Sequence, residues 1–365
     1  MSTDMSRRMM RLSICIPTHH GRCGTLREAL DSVLPQITPE LHGRVEVCIN
    51  DNASDDGTEA LVAQFNGQYP GVIRYHRNPE NQGFTRNLMR VIAGADGDYC
   101  WMFSSDDVMA PNGIARVLEI LDEYPDLTGM TVSTLAFNAD MTKLMPNGLS
   151  LSLLPPDSAH RHLYTSPDEI FRACGSVMGY TSVQVLDRRL WAEVLTEIGE
   201  AGFTQFFYFP YLYVFGKMVK KKPQWLWLPE SLVHSRADND YLSSHLDKNM
   251  LRYHRLTMDE AARVWGELFG FQSATYFSLM RDNYVNFWNA PSLLRYKALN
   301  RCTVSEEMQA LLWYPRRLWF LPAFWLFSFP ALLLPHPLAR LGAAVVRLLG
   351  LGQTLRQLRK RLFPL

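Results

Sequence analysis

The chain has 365 residues, of which 47% are hydrophobic and 20% charged, and its formal net charge is +1 at pH 7. This length accommodates one large domain plus an accessory region. The near-zero net charge argues against a general nucleic-acid-binding protein, which would carry a strongly basic surface. The six cysteines form no Cys-x-x-Cys pair, so neither a disulfide framework nor a zinc site is indicated, and a reduced, cytoplasmic chain is expected. The N-terminus is polar and basic with no apolar segment behind it, so we expect no secretory signal.

The first 140 residues alternate between strand-like and helix-like segments. Strands are predicted at Leu12–Pro17, Val45–Asn50, Val72–His76 and Asp98–Phe103. Helices are predicted from the capping box Thr25–Glu28 onward, from the turn Asp55–Thr58 through Phe65, at Phe84–Ala93 and at Asn112–Glu123. Repeated βα units of this length predict an α/β fold with a doubly wound, mainly parallel sheet.

After about Asn138 this alternation is lost. A strand at Val177–Leu186 is predicted to lead into a helix at Arg189–Ile198, and Gln224–Leu228 with Leu232–Val233 is predicted to be a late strand. The segment Leu242–Glu307 has a helical pattern. We therefore divide the chain into a main α/β domain at residues 10–240, a helical extension at 241–312 and a tail at 313–365.

The tail combines an apolar run with basic charge. From Met308 onward the sequence has no acidic residue but eight basic ones. The apolar run Leu318–Leu334 is shorter than the about 20 residues of a spanning helix and contains two prolines, so an interfacial segment is predicted instead. The leucines and arginines that follow are typical of a helix lying on an anionic membrane surface. A core-packing helical pair or a dimer interface is the alternative.

Two adjacent carboxylates end the apolar run Cys100–Phe103. After Ser104 and Ser105, Asp106 and Asp107 are expected at the carboxyl edge of the sheet, where open α/β sheets bind their ligands. Two such carboxylates repel each other unless a cation neutralises them, and hard oxygen ligands favour a divalent ion shared with substrate phosphates. The pattern therefore predicts a metal–diphosphate site. The alternative is a polar turn or helix start ahead of Pro111.

Five sequence elements together resemble family-two glycosyltransferases of the GT-A fold. In chain order they are Ser13–Thr18, Ala29–Leu34, Cys48–Thr58, Asn81–Asn87 and Gly97–Asp107. Each element is weak alone, but five in this order and spacing are specific, and they cover about the first 110 residues. The later part looks most like bacterial sugar transferases of O-antigen and capsule assembly, such as abequosyltransferases.

The resemblance implies roles for residues near the predicted nucleotide. Pro17 and Thr18 open a loop in which backbone groups face the nucleotide. Asp51 is expected to accept a hydrogen bond from the base or ribose, with Asn52 beside it, although an aspartate in such a loop also occurs as a plain turn residue. Arg86 is expected to contact the nucleotide or diphosphate, with an ordinary surface cation as the alternative.

Asp106 and Asp107 correspond to the family's DXD-type motif. The resemblance implies Asp107 as the metal ligand, with Asp106 binding ribose or supporting the metal, and Mg²⁺ or Mn²⁺ as the cofactor. The family often has an acid where this chain has Ser104 or Ser105, which lowers the charge of the site. His234 is the candidate for a further metal or diphosphate contact, although a lone histidine is more often structural.

The general base is the main gap in the resemblance. Inverting members usually carry a Glu-Asp pair to deprotonate the acceptor hydroxyl, but Gly202–Pro210 contains no acid. Asp187, Asp238 and Asp240 are alternatives, and Asp238 is preferred because it follows His234 in a polar loop.

The resemblance thus implies transfer of a sugar, with inversion, from a nucleotide-sugar donor to an acceptor hydroxyl. The tail favours a polyprenyl-diphosphate-linked glycan as acceptor, a membrane-surface location at the cytoplasmic face of a bacterial inner membrane, and a role in surface polysaccharide assembly. The donor, linkage and oligomeric state stay open. A catalytically silent nucleotide-sugar-binding scaffold remains an alternative, and Pro17–His20 counts against a nucleotidyltransferase, which would want a Gly-rich basic loop there.

Overall fold

A computed structural model of the chain describes residues 11–145, 158–236, 250–299, 303–335 and 337–341. The chain divides into two compact units, Met1–Asp238 and Asn239–Leu365. The first unit contains a large sheet with helices, and the second unit is helical.

The sheet of the first unit is mixed but mostly parallel. Its strands are β1 Leu12–Thr18, β2 Val45–Asp51, β3 Ile73–Arg77, β4 Tyr99–Met102, β5 Val108–Met109, β6 Gly129–Phe137, β7 His162–Tyr164, β8 Gln184–Asp187 and β9 Trp225–Arg236. The spatial order is β3-β2-β1-β4-β8-β6-β9-β5, and β7 pairs with β9. The predicted α/β class is confirmed, and the parallel arrangement holds among β3, β2, β1 and β4 and again between β6 and β9. Strand β8 lies between these two groups and is antiparallel to both β4 and β6.

The register of the parallel strands sets where the site lies. Thr18 at the end of β1 is the partner of Asp51 at the end of β2, and Cys15 is the partner of Met102 at the end of β4. Every residue of β1 except Pro17 is buried, because helices cover both faces of a parallel sheet and its strands become continuous apolar runs. The segment that leaves β4 therefore emerges beside the ends of β1 and β2.

Seven helices of the first unit pack against this sheet or against one another. They are α1 Cys23–Val33, α2 Thr58–Gln68, α3 Gly83–Ala93, α4 Gly113–Glu123, α5 Pro167–Cys174, α6 Arg188–Thr204 and α7 Pro210–Lys221. Helix α1 begins two residues before the predicted capping box, and the hydroxyl of Thr25 instead donates to the carbonyl of Arg22 at 3.1 Å. The buried positions of α1 still lie at the spacing of one helix face.

Strand β9 spans both pieces of the predicted late strand, Gln224–Leu228 and Leu232–Val233. It pairs in parallel with β6 along its length, and the register shifts around Ser133 absorb the irregular stretch between the two predicted pieces. Trp225 and Trp227 of β9 are fully buried. The ring of Trp225 lies against Gly129, where a Cβ atom would come within 2.6 Å of it. Strand β6 was not predicted from the sequence. Its residues are buried on nearly every position, so it lacks the alternation of apolar and polar residues that marks a half-exposed strand.

The described residues of the second unit include α8 Met250–Phe269, α9 Ala274–Asn283, α10 Ala290–Leu299, α11 Val304–Leu318 and α12 Phe329–Leu333, with π-helical turns at Tyr284–Trp288 and Phe324–Ser328. The side chain of Lys297 is almost fully buried, and its Nζ donates to the carbonyls of Leu332 and Leu334, each at 2.7 Å. This lysine therefore fixes the end of α12. Within the part of the chain that the structure describes, no helix combines the length and apolar character needed to cross a membrane.

A group of large apolar side chains is exposed on this unit, and we call it the apolar surface. Its members are Trp319, Trp325, Leu326, Phe327, Leu333, Leu338 and Leu341. These exposed apolar side chains all belong to residues 319–341, and apolar side chains that cluster on a surface are candidates for an interaction site. The part of the predicted tail after residue 341 lies outside the described residues, so its amphipathic pattern stays a prediction.

Candidate functional site

The candidate site lies at the carboxyl ends of β1, β2 and β4, next to the end of β9. Thr18, Asp51 and the segment Ser104–Asp107 reach this edge from the parallel strands. His234 and Arg236 are among the last three residues of β9, and His234 is the register partner of Val108 on β5. The sheet thus gathers residues that are up to about two hundred positions apart in sequence, as expected for a ligand site in an open α/β fold.

Asp107 is buried and its two oxygens are engaged by three donors. The hydroxyls of Tyr180 and Ser182 donate to Oδ2, and the backbone N–H of Arg236 donates to Oδ1 at 3.1 Å. Burial raises the pKa of Asp107 to about 7, with a further contribution from the charge of Asp106. Asp107 therefore ties the β4 loop to the turns before β8 and to the end of β9.

Asp106 is the more accessible carboxylate of the pair. Its Oδ2 accepts from Nη1 of Arg22 at 2.6 Å, and its Oδ1 accepts from the hydroxyl of Ser104. Nε of Arg236 donates to the backbone carbonyl of Asp106 at 3.0 Å and so orients the loop. Asp106 thus presents a carboxylate at the sheet edge, balanced by the guanidinium of Arg22.

Arg236 fixes the end of β9 in place. Its guanidinium also donates to the carbonyl of Ala139 and to the carboxylate of Glu28 on α1, and its side chain is only 5% exposed. Because these contacts join α1, the β4 loop and the segment after β6, Arg236 reinforces the geometry of the edge.

Asp51 is fully buried at the end of β2. Oδ1 accepts from the backbone N–H of Ser54 at 3.0 Å and from the Ser54 hydroxyl, and Oδ2 accepts from the hydroxyl of Tyr75 at 2.7 Å. Nε of Arg77 lies 3.8 Å from Oδ2. These contacts hold the turn after β2, which is the turn role that the sequence left as the alternative, and the nucleoside role stays a prediction.

Asn52 holds the loop that leads into α3. Its amide Nδ2 donates to Oδ1 of Asn81 at 2.7 Å, and its Oδ1 accepts from the backbone N–H of Gln82 at 2.8 Å and from Asn78 at 3.0 Å. An asparagine that satisfies both a donor and an acceptor in this way rigidifies a loop. The geometry of this loop is therefore set by asparagine amides rather than by charge.

A buried asparagine cluster continues this network beneath β1. Nδ2 of Asn87 on α3 donates to the carbonyls of Thr18 and Asn50, at 3.0 and 3.1 Å. Nδ2 of Asn50 donates in turn to Asn87 and to Asn78, at 2.6 and 3.2 Å. The sequence missed this cluster because its members are far apart in the chain. Fully satisfied buried amides of this kind fix one backbone arrangement.

Thr18 stands out within this network. Its side chain is fully buried at the end of β1, and its Oγ1 has no hydrogen-bond partner among the described residues. A buried hydroxyl without a partner is costly, which makes it a candidate for contact with a ligand. Pro17, one residue earlier, is partly exposed.

Arg86 lies at the start of α3 and faces another helix. Its Nε donates to Oε1 of Glu200 on α6 at 2.7 Å, and both side chains are at least half exposed. This arrangement matches the alternative of a surface cation, and a nucleotide contact by Arg86 stays a prediction.

His234 lies beside Phe137, with 5.0 Å between the ring centroids. Partial burial lowers the pKa of His234, so its imidazole is neutral at pH 7 and retains a nitrogen lone pair. Within the described ranges no three His, Cys, Asp or Glu residues form a cluster that fits a metal ion.

The residues at this edge fit a divalent ion that is shared with the phosphates of a bound substrate. Mg²⁺ is commonly held by one or two carboxylates together with substrate phosphates. Asp106 supplies one partly accessible carboxylate, whereas the oxygens of Asp107 are already engaged. Asp106 is therefore the more accessible of the two carboxylates, and the metal-ligand role of Asp107 stays a prediction.

Of the three candidate bases, the structure describes Asp187 and does not describe Asp238 or Asp240. Oδ1 of Asp187 accepts from the backbone N–H groups of Arg189 and Leu190, at 2.9 and 3.1 Å, and so caps α6. Asp238 and Asp240 lie outside the described residues. The acid-free stretch is followed by α7, and the hydroxyl of Tyr211 on this helix donates to the carbonyl of Gly179 at 2.6 Å.

Sequence reasoning did not single out Arg22, Tyr180 or Ser182. Arg22 lies four residues beyond β1, and only its position in a loop at the sheet edge would have pointed to it. Tyr180 and Ser182 come from the stretch predicted as one strand, which instead forms two short 3₁₀ turns before β8. Their hydroxyls reach Asp107 because of that irregularity.

Residues 13–178 match the family model described as Glycosyl transferase family 2. The chain is 41% identical over 118 residues to abequosyltransferase RfbV of Salmonella typhimurium, covering 32% of this chain and 34% of that protein. It is 27% identical over 100 residues to putative glycosyltransferase EpsE of Bacillus subtilis, covering 27% and 34%. The matched segment thus spans about a third of these curated relatives.

Solved structures extend the likeness to most of the chain. TarS residues 1–349 from S. aureus in complex with UDP has a TM-score of 0.57 at 13% identity, covering 92% of this chain and 88% of that one. The complex of the same protein with UDP-GlcNAc has a TM-score of 0.57 at 13% identity, covering 86% and 82%. At this identity the likeness shows the fold, and it confirms the predicted GT-A fold.

Proposed function

We propose that this chain, whose residues 13–178 belong to glycosyl transferase family 2, transfers a sugar from a nucleotide-sugar donor to an acceptor hydroxyl. The observation that carries the proposal is the partly accessible Asp106 carboxylate at the carboxyl edge of β1, β2 and β4. The similarity to an abequosyltransferase supports a deoxyhexose as the sugar and an O-antigen-type glycan as the product.

The donor's nucleoside diphosphate is proposed to bind across the ends of β1 and β2. The buried, unpartnered hydroxyl of Thr18 supplies a hydrogen-bonding group there, and the asparagine cluster holds the surrounding backbone in one arrangement. TarS, which shares the fold, was crystallised with UDP and UDP-GlcNAc, which supports a nucleotide-sugar in this place. The donor base stays open.

Asp106 is proposed to hold a divalent cation together with the diphosphate, with Asp107 supporting the loop. A Mg²⁺ or Mn²⁺ ion bound there supplies positive charge to the departing nucleoside diphosphate. Arg22 and Ser104 orient the carboxylate of Asp106 through direct hydrogen bonds. His234 lies on the adjacent strand end, and its neutral imidazole is proposed as a further contact.

The proposed reaction proceeds with inversion, and Asp238 is the proposed base that accepts the proton of the acceptor hydroxyl. Its position two residues after Arg236 supports this role, because Arg236 is fixed at the site edge by Asp106 and Glu28. Asp187 is set aside as a base because its carboxylate caps α6.

The acceptor is proposed to be a lipid-linked glycan, and the chain is proposed to bind a membrane surface. The apolar surface supports this: Trp319 is 62% exposed and Leu326 is 69% exposed. Between Arg317 and Arg340 the sequence has no Asp, Glu, Lys or Arg, and from Met308 onward no acid. Exposed tryptophans flanked by arginines are typical of segments seated at the lipid headgroup level of an anionic bilayer.

A nucleotide-release assay tests the transferase. Purified protein is incubated with UDP-, GDP-, CDP- and dTDP-sugars, Mg²⁺ or Mn²⁺ and native lipid extract. Release of nucleotide from one donor is expected, with at least a hundredfold loss in Asp106→Asn. The matched control is Asp122→Asn, which removes an aspartate paired with Arg44 away from the site and should retain activity.

Two results would count against the proposal. Binding of a nucleotide-sugar without release from any donor would favour the silent scaffold, for which the acid-free stretch Gly202–Pro210 is the supporting observation. Equal activity of Asp106→Asn and the native chain would remove Asp106 from the site.

A vesicle-sedimentation assay tests the membrane surface. Native protein is expected to sediment with vesicles containing anionic lipid, and the double substitution Trp325→Ser and Leu326→Ser to reduce the bound fraction at least fivefold. Phe207→Ser, which removes an equally exposed aromatic residue from the first unit, is the matched control. Unchanged sedimentation of the double variant would refute the role of the apolar surface.

A further inference from the structure

Arg22 forms a close and largely buried ion pair with Asp106. Its Nη1 lies 2.6 Å from Oδ2, and the two side chains are 11% and 14% exposed. The second oxygen of Asp106 accepts from Ser104. A cation that binds Asp106 in this state must therefore share the carboxylate with a guanidinium a few ångströms away, and like charges at that distance repel strongly in a partly buried site.

The backbone on both sides of Arg22 is held in place. The N–H groups of Gly21 and Cys23 both donate to Oδ2 of Asp56, at 2.6 and 3.2 Å. Gly21 has a φ of +85°, a conformation that favours glycine. Because the loop is fixed on either side, the long Arg22 side chain is the part that is able to change partner.

We propose that Arg22 neutralises Asp106 in the free protein and, when a nucleotide-sugar binds, turns to the donor's diphosphate and leaves Asp106 to the divalent cation. This inference rests on the proposed function. The exchange costs little charge stabilisation, because a guanidinium binds phosphate oxygens in the same fork geometry as a carboxylate. The exchange also requires that cation and nucleotide strengthen each other's binding. The nucleotide draws Arg22 away from Asp106, and the cation takes the place of Arg22 at that carboxylate.

Arg22 is thus a diphosphate-binding residue that also excludes the cation from an empty site. Removing its charge has opposite effects on the two ligands. In Arg22→Gln, Asp106 loses its internal counter-ion, so the cation alone binds more tightly. The nucleotide diphosphate loses a positive partner and binds more weakly. A purely structural arginine would weaken both.

Binding measurements without turnover test this inference. Mn²⁺ binding is followed by electron paramagnetic resonance, and binding of UDP, GDP, CDP and dTDP by calorimetry with and without Mn²⁺. The native chain is expected to bind Mn²⁺ at least tenfold more tightly when its preferred nucleotide is present. In Arg22→Gln, Mn²⁺ alone is expected to bind at least tenfold more tightly than to the native chain, and the metal-free nucleotide at least tenfold more weakly.

Arg22→Lys keeps the charge and is expected to restore most of the nucleotide affinity. The matched control is Arg44→Gln, which breaks an ion pair with Asp122, at 2.9 and 3.0 Å, just ahead of β2; Arg44 is 15% exposed, close to the 11% of Arg22. It should change neither affinity. Weaker or equal Mn²⁺ binding by folded Arg22→Gln would overturn the exchange while leaving the transferase intact. Absence of binding of all four nucleotides to the native chain would overturn the proposed function itself.

Discussion

Replacing Lys297 with Met should locally destabilise the second unit. Lys297 is 2% exposed, and its Nζ donates to the carbonyls of Leu332 and Leu334 and lies 3.3 Å from Oε1 of Glu307. Met matches the length of the lysine stem, so the substitution removes the charge and its hydrogen bonds with little change in packing.

The expected cost follows from these contacts. Two hydrogen bonds from a charged donor contribute about 1.5–3 kcal/mol each, and breaking a buried ion pair by removing one partner costs about 3–5 kcal/mol in total. These figures overlap because the same Nζ makes all the contacts, so we expect about 3–5 kcal/mol. Each 1.4 kcal/mol is a factor of ten, so amides held by this contact should exchange roughly 10² to 10³·⁵ times faster.

Hydrogen exchange read by mass spectrometry measures this locally. Peptides covering Phe329–Leu334 should lose protection in Lys297→Met, whereas peptides from β1 should not. Lys221→Met is the matched control, because Lys221 pairs with Glu193 and Glu197 at the surface of the first unit, where such pairs contribute about 0–1 kcal/mol. A change below about tenfold at Phe329–Leu334 would refute the assignment of Lys297 as the group that fixes α12.

Three further predictions concern the first unit. Gly129→Ala should destabilise the fold by about 1–3 kcal/mol in thermal or urea unfolding. The added Cβ would lie 2.6 Å from the Trp225 ring and 2.7 Å from the carbonyl of Val185. An unchanged melting temperature would contradict that packing. Thr18→Val should leave stability unchanged or slightly raised, since the hydroxyl has no partner among the described residues. It should weaken nucleotide binding about tenfold in calorimetry, because one hydrogen bond to the ligand is lost. Equal affinity would remove Thr18 from the donor site. Asp187→Ala should cost about 1 kcal/mol through loss of the α6 cap while nucleotide release continues, and abolished release in the folded variant would make Asp187 a candidate base again.

Local patterns in the sequence were sufficient for the parallel half of the sheet. Strands β1, β2, β3 and β4 lie within one residue of their predicted bounds at most ends, because short apolar runs between polar turns carry their own signal. The carboxyl-edge position of Asp106 and Asp107 followed from the same reasoning, since parallel strands end at a common edge. The family resemblance supplied the GT-A fold from motifs in that same half.

The division of roles within the site was decided by tertiary contacts. Asp106 and Asp107 are equivalent in sequence, but Tyr180, Ser182 and the backbone of Arg236 surround only Asp107. These partners come from segments more than 70 residues away, and no periodicity encodes which of two adjacent carboxylates they reach.

Local patterns in the sequence predict the individual strands and helices, the order of the family motifs and the uneven charge of the tail. Each of these features depends on residues that are close together in the chain. Tertiary structure was needed to establish the antiparallel position of β8 between β4 and β6, the pairing of Arg22 with Asp106 and the burial of Lys297. The physical reason is that burial and charge pairing depend on which distant segments meet, and that choice is made by packing of the whole unit rather than by any local pattern.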